Sequence, residues 1–297
     1  MQQQDYLDRL IALALDEDLG AAGDVTSQAL IPPDYEGSAE LVAKEQLVLA
    51  GLEAFVRVFK MVDPNVEVEL LRRDGQEIKP KMVAARCHGR MRSLLAAERT
   101  ALNIVQRAAG IATLAQQAVT SVRGSKLRVL DTRKTPPGMR TVAKEAVRMG
   151  GASNHRFGLF DGVLIKDNHI AAVGGSISEA LRRAKLNGPR LCKVEIEVTN
   201  LKQLAEAIEH GADVVMLDNM DDAQIREAVK LAAGRVPLEV SGGVTLDRLP
   251  RLAKLGIDFV SMGALTHSAR AMDLSLEITA AAKRPARARQ AKQPKPA

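Results

Sequence analysis

CKVEIEVTNLKQLAEAIEHGADVVMLDNMDDAQIREAVKLAAGRVPLEVSGG, residues 192–243, is the stretch that decides the fold. Cys192–Val198, Val214–Leu217 and Leu238–Val240 are short, aliphatic and β-branched, the pattern of buried strands. Between them, Leu201–His210 and Asp222–Ala232 place apolar residues at helical spacing. Working outward, strands are predicted at Leu127–Leu130, Val163–Ile165 and Phe259–Val260, and helices at Met139–Arg148, Ser178–Lys185 and Leu246–Leu255. The later strands recur every 21 to 24 residues, the length of a β-loop-α-loop unit. Six or seven such units predict a parallel α/β barrel. An open doubly wound sheet would start on a Gly-rich turn, and no G-x-G-x-x-G follows the first strand.

Upstream the order changes. Tyr6, Leu7, Leu10, Ile11, Ala14 and Leu15 share a helical face, and Gly20 and Gly23 end that helix. Ala39–Ala43 and Val66–Leu71 read as strands, Leu52–Met61 as a helix, and Met82–Arg92 as an extended stretch. A long helix, Ser93–Ala109, then leads into the second half and sets Arg99 and Asn103 on one face. The fold class is therefore α/β: an N-terminal α+β, sandwich-like domain over residues 1–112, then the barrel over 113–282. Residues 283–297 form a Pro-, Ala-, Lys- and Arg-rich tail expected to be disordered.

Charge and composition narrow the function. The net charge is +6, and the tail alone carries six cations (Lys283, Arg284, Arg287, Arg289, Lys292 and Lys295) and no acid, so the rest is near neutral. Five Phe, two Tyr and no Trp leave little for base stacking, which argues against nucleic acid. Apolar runs stay far below the ~20 residues a membrane helix needs, and Met1–Asp5 lacks the features of a secretory signal. Cys87 and Cys192 have neither metal-site nor disulfide-framework spacing, so a cytoplasmic setting is expected.

The predicted strand ends are crowded with chemistry. Asp131, Arg133 and Lys134 follow the first barrel strand, and Lys166, Asp167, Asn168 and His169 follow the second. Glu195 and Glu197 alternate with apolar residues on one face. Asp218 and Asn219, Ser241-Gly242-Gly243 and Ser261-Met262-Gly263 close the last three strands. Barrel active sites lie at these C-terminal ends. Arg133, Lys134, His155, Arg156 and Lys166 suit carboxylates and phosphates. Glu195 and Asp218 are hard oxygen ligands for Mg²⁺ held jointly with substrate phosphates. The two small-residue turns offer backbone N–H groups to a phosphate. No Ser-His-Asp set or activated cysteine stands out, which favours catalysis by positioning and charge stabilisation.

Glu98-Arg99-Thr-Ala-Leu-Asn103, Gly110-Ile-Ala-Thr113, Asp131-Thr-Arg-Lys-Thr-Pro-Pro-Gly-Met-Arg140, His155-Arg156, Leu164-Ile-Lys-Asp-Asn-His169, Glu195-Ile-Glu-Val198, Met216-Leu-Asp-Asn219 and Ser241-Gly-Gly243 together resemble quinolinate phosphoribosyltransferase, the decarboxylating nicotinate-nucleotide pyrophosphorylase family. The resemblance runs from Asp24 to Gly263, with Pro136 a small departure beside the site. It implies that quinolinate and phosphoribosyl pyrophosphate give nicotinate mononucleotide, pyrophosphate and CO₂, with Mg²⁺, in NAD biosynthesis. It also implies a homodimer, or an assembly of dimers, in which Arg99 reaches the neighbour's barrel mouth. By that likeness Arg133, His155, Arg156 and Lys166, with Arg99 in trans, hold the two quinolinate carboxylates, and Thr132 is a further substrate-binding residue. Lys134 meets phosphate or ribosyl oxygens, and Glu195 and Asp218 hold ribose hydroxyls and the metal-pyrophosphate unit. Ser241, Gly242, Gly243, Ser261, Met262 and Gly263 take the 5′-phosphate, and Lys134, Lys166, Glu195 and Asp218 form the catalytic set. A sister protein of the same fold with another substrate, or a non-catalytic phosphosugar or nucleic-acid binder using the tail, are the competing readings.

Overall fold

The computed structural model describes residues 3–279, so the basic tail expected at 283–297 lies outside the described residues. The first half contains α1 (Gln3–Leu19), α2 (Val25–Leu30), β1 (Glu36–Ala43), β2 (Leu47–Val48), α3 (Leu52–Val62), β3 (Glu67–Leu70), β4 (Glu77–Ile78) and β5 (Val83–Arg90). Asp24 starts α2 by accepting the Thr26 and Ser27 N–H groups, which would otherwise lack partners. Helix α4 (Met91–Ser121) leads into β6 (Arg128–Leu130), α5 (Arg140–Met149), β7 (Val163–Ile165), α6 (Asp167–Ala172), α7 (Ile177–Asn187) and β8 (Val194–Val198). Then follow α8 (Leu201–Glu209), β9 (Val214–Asp218), α9 (Asp222–Ala232), β10 (Leu238–Ser241), α10 (Leu249–Leu252), β11 (Phe259–Ser261), α11 (Ala264–His267) and β12 (Leu274–Thr279).

Two sheets carry the architecture. The larger is parallel with order β6-β11-β10-β9-β8-β7, so β11, the last of these strands in the chain, pairs with β6, the first. Between the edge strands β6 and β7, a single parallel bridge from Ser153 to Leu130 adds backbone beside β6. Curvature is evident inside, where side chains from β8, from β10 and from the segment after Ser153 meet within 4.8 Å. The smaller sheet is antiparallel, order β12-β1-β5-β3, beside a β2-β4 pair. Phe55 and Phe59, fully buried on α3 with ring centroids 4.9 Å apart, anchor the core there.

Three expectations change. The helix predicted to stop at Ala109 runs on to Ser121, through residues 112 and 113 where the two domains were divided. Gly110, just past that predicted end, permits a close crossing: a Cβ there would stand 1.8 Å from the Arg270 carbonyl oxygen. The predicted Leu246–Leu255 helix shrinks to Leu249–Leu252, with Pro250 confined to the first turn, where its missing N–H costs nothing. Strand β12, not anticipated, returns the chain to pair with β1 over Ser38–Ala43, so the first sheet uses both ends of the described chain. No helix among the described residues is long and apolar enough to cross a membrane.

Candidate active site

The β6 end is organised by one carboxylate. Asp131 is fully buried, and its Oδ1 accepts from Lys144 Nζ at 2.6 Å and from the His155 N–H at 2.8 Å. Its Oδ2 accepts from Asn154 Nδ2 at 2.7 Å, while Lys144 Nζ also donates to the His155 carbonyl at 2.8 Å. With all donors aimed at it, Asp131 fixes the His155–Arg156 segment against β6. Arg140 ties down the other side of the loop, donating to Thr135 Oγ1 at 3.2 Å and to the carbonyls of Phe157 and Arg133 at 3.3 Å.

Above this frame lies a site prepared for anions. Arg133 Nε is buried without a hydrogen-bond partner among the described residues. Arg156 is held below the usual arginine range, first by burial and then by the charge of Arg133. Two neighbouring guanidiniums, one with an idle buried N–H, are an arrangement that a carboxylate relieves. Arg156 Nη1 donates to the Gly162 carbonyl at 3.0 Å, and Asp161 accepts the Phe157 and Gly158 N–H groups, closing the loop beneath it.

The far side of the mouth carries the remaining groups. Lys166 Nζ pairs with Glu197 Oε2 at 2.8 Å. Asp218 Oδ2 accepts from Asn219 Nδ2 at 2.8 Å. Asn219 adopts φ 54°, and Gly242, at φ 95°, sits so close that a Cβ would stand 2.2 Å from Asn219 Oδ1. Glycine is therefore obligatory at residue 242. A Cβ on Gly263 would lie 3.1 Å from Lys134 Cδ and 3.2 Å from the His267 ring, so the Lys134 stem rests across that turn.

Inside the barrel sits a second cluster. His155 Nε2 lies 3.0 Å from Glu195 Oε2 and 3.8 Å from Glu239 Oε2, and its Nδ1 accepts the Arg156 N–H at 2.7 Å. Burial opposes charge on this ring, but the hydrogen bond to Glu195 and the charge of Glu239 outweigh it and raise His155. Burial, then the neighbouring Glu195 charge, pushes the Glu239 carboxyl up to about 8. His155, Glu195 and Glu239 are also close enough together to hold a cation. A cavity of about 400 Å³ reaches them from the N-terminal strand ends, past Arg128, Val163, Lys193 and Val214. Another, of about 380 Å³, lies between α5 and Asn154–Phe157. Neither is lined by Lys134, Lys166 or Asp218.

The chain matches the family models for the N-terminal domain of quinolinate phosphoribosyl transferase over residues 24–109 and for its C-terminal domain over 111–277. The chain belongs to the quinolinate phosphoribosyltransferase family. It is 42% identical over 263 residues to a probable nicotinate-nucleotide pyrophosphorylase (carboxylating) of Bacillus subtilis, covering 89% of this chain and 90% of that one. A mitochondrial quinolinate phosphoribosyltransferase (decarboxylating) of Nicotiana glauca is 39% identical, with 92% and 82% covered. The solved nicotinate-nucleotide pyrophosphorylase of Francisella tularensis superposes with a TM-score of 0.87 at 40% identity, covering 94% of this chain and 98% of that one.

Within this quinolinate phosphoribosyltransferase fold, the anticipated residues fall into separate groups. Thr132, Arg133, Lys134, Arg156, Lys166, Asp218, Ser241, Gly242, Gly243 and Gly263 belong to the C-terminal ends of their strands. Glu195 does not join Asp218. It registers with Val214, four residues before Asp218, which is about 13 Å of strand at ~3.3 Å per residue. Carboxylates so far apart cannot share an ion bound at ~2.1 Å. Glu197, two residues further along and already paired with Lys166, lies nearer the level of Asp218. Ser261 faces inward near Glu239, and buried Met262 spends its N–H on the Leu130 carbonyl, which leaves half-buried Gly263 as the most open part of that turn. Arg99 is exposed on α4, with no hydrogen bond or ion pair among the described residues. Sequence reasoning missed Arg140, Lys144, Glu197 and Glu239 as site-builders. The available signals were a lysine on the buried face of α5 and a glutamate at an inward position of a barrel strand.

Proposed function

We propose that this chain transfers the phosphoribosyl group of phosphoribosyl pyrophosphate to the ring nitrogen of quinolinate and releases one carboxylate as CO₂, giving nicotinate mononucleotide and pyrophosphate for NAD biosynthesis. The observation that carries this reading is the Arg133–Arg156 pair, two adjacent guanidiniums with an idle buried Nε, at the mouth of a barrel in this family. Quinolinate's adjacent carboxylates suit these two forks, with Lys166 and a partner subunit's Arg99 completing the shell. Lys134, lying across Gly263, and the Gly242–Gly243 turn suit the phosphoribosyl phosphate.

As pyrophosphate leaves, positive charge builds on the ribose carbon, and Glu197 and Asp218 offset it with fixed negative charge. Once the ring nitrogen is alkylated, losing CO₂ leaves an electron pair beside a cationic nitrogen. The ring provides much of that stabilisation, so the protein's part is orientation. Mg²⁺ fits Asp218, whose Oδ1 makes no hydrogen bond, and would share the pyrophosphate charge when bound with substrate. Exposed Arg99 on α4 supports a homodimer in which it serves the partner's site. Unpaired Cys87 and Cys192 are consistent with a cytoplasmic setting.

The test is an incubation with Mg²⁺, phosphoribosyl pyrophosphate and carboxyl-labelled quinolinate. Stoichiometric labelled CO₂ and nicotinate mononucleotide are expected. Turnover of nicotinate but not quinolinate would overturn the substrate assignment.

A further inference from the structure

The cluster beneath Arg156 is left unused by the reaction just described. Glu195 is 8% and Glu239 2% exposed, and Glu195 Oε1, Glu239 Oε1 and Ser261 Oγ are buried with no hydrogen-bond partner among the described residues. Two carboxylates this deep, with oxygens this close, cannot both remain charged and uncompensated. Either a cation or a proton must sit between them.

The histidine decides which. Its Nδ1 accepts the Arg156 N–H at 2.7 Å, so a neutral ring carries its proton on Nε2, aimed at Glu195 Oε2 3.0 Å away. A histidine that ligates a metal through one nitrogen donates a proton from the other, and here the other nitrogen is an acceptor. Protonating Nδ1 would set its N–H against the Arg156 N–H, so an imidazolium is disfavoured as well. The upward pull of Glu239 on His155 also disappears once Glu239 holds a proton.

We propose that Glu239, Glu195 and His155 form a proton-filled positioning chain. Glu239, as a carboxylic acid, donates to Glu195. Glu195 accepts the Nε2–H of neutral His155, and His155 Nδ1 grips the Arg156 backbone and aims its guanidinium at the substrate. His155 then touches no substrate atom, and Glu195 serves the histidine and not a metal. The charged and titratable groups around the ring are Glu195 from β8, Glu239 from β10, Lys144 from α5, Asp131 after β6 and Arg156 itself. Asp131 is already paired with Lys144, so the ring's own charge partners are the two glutamates. The proposal rests on the quinolinate reading of the Arg133–Arg156 site only for what Arg156 is aimed at.

Two measurements on the full chain test it. With ring-¹⁵N histidine, the His155 signal, assigned by its loss in His155→Gln, should show a protonated Nε2 and a bare Nδ1 at neutral pH. It should not move when quinolinate is added. An imidazolium, or a ring whose shift follows quinolinate, would overturn the proposal. This arm needs no turnover, so it stands apart from any failure of the quinolinate assignment. In kinetics, Glu239→Ala should raise the KM for quinolinate on the order of 10-fold while leaving that for phosphoribosyl pyrophosphate in place. Glu239→Gln, which keeps a donor where the carboxylic acid stood, should recover most of that loss. Equal damage from Gln and Ala would mean that a charge is needed at Glu239. Stoichiometric Mn²⁺ or Zn²⁺ binding abolished by Glu239→Gln would put a cation in the cluster. Either result refutes the chain.

Discussion

Lys144→Met is the most informative single change. Lys144 and Asp131 are 4% and 0% exposed and 2.6 Å apart. Burial holds Lys144 below the usual lysine range, and the Asp131 contact only partly offsets it. A buried ion pair gains little over apolar packing, and the damage of removing one partner comes from stranding the other, here Asp131. Removing one partner of a buried pair costs about 3–5 kcal/mol. Asp131 keeps the Asn154 and His155 donors, so the lower end, ~3 kcal/mol, applies. At roughly 2–4 °C per kcal/mol for a domain of about this size, Tm should fall by about 6–12 °C. Because Lys144 also holds the His155 carbonyl, the KM for quinolinate should rise along with the loss of stability. Calorimetry on Lys144→Met, Asp131→Asn and the double variant is the assay, the amide oxygen of Asp131→Asn keeping an acceptor for the His155 N–H while the charge is removed. The double variant should regain at least about half the lost Tm, because it removes the stranded charge. A single-variant drop below ~2 °C, or a double variant no better than the singles, would refute the reasoning.

Other outcomes follow from the same geometry. Lys134→Ala and Arg156→Ala each remove a charge-assisted contact worth roughly 1.5–3 kcal/mol, so kcat/KM should fall about 10- to 100-fold or more in steady-state assays. Mixing Arg99→Ala with Arg156→Ala protein should restore part of the activity through hybrid dimers, and no recovery despite proven subunit exchange would count against Arg99 acting in trans. Glu197→Gln, which breaks the Lys166 pair, should lower kcat, whereas Glu195→Gln should act mainly on the KM for quinolinate. Glu239, raised to about 8, adds stability that is complete below the free-carboxyl value of 4.5 and is lost as pH rises through about 8. Melting curves at pH 5 and pH 9 should show a larger fall for the wild type than for Glu239→Gln.

The barrel was legible because β-loop-α periodicity is a local signal, and so was the placement of cations at strand ends. What stayed hidden depends on heights and crossings. Alternation puts Glu195 and Glu197 on one inward face, but only the pairing of β8 with β9 shows that Glu195 is level with Val214, four residues short of Asp218. The helix that ends at Ala109 in sequence runs on through Gly110, and the crossing that this glycine admits is visible only once Arg270 is placed beside it. Strand β12 alternates Leu274, Leu276 and Ile278 in the ordinary way, yet its partner β1 lies more than two hundred residues earlier. Lys144 was one cation among many in sequence, and its burial against Asp131 exists only after α5 packs.

The central claim is that quinolinate's carboxylates occupy the Arg133–Arg156 fork at the barrel mouth. A structure of the protein with quinolinate bound tests it most directly. A carboxylate within hydrogen-bond distance of Arg156 and of Arg133 Nε is predicted, with the His155 nitrogens still on Glu195 and the Arg156 amide. Quinolinate bound in the cavity at the N-terminal strand ends, or bridging His155 Nε2 in place of Glu195, would contradict it.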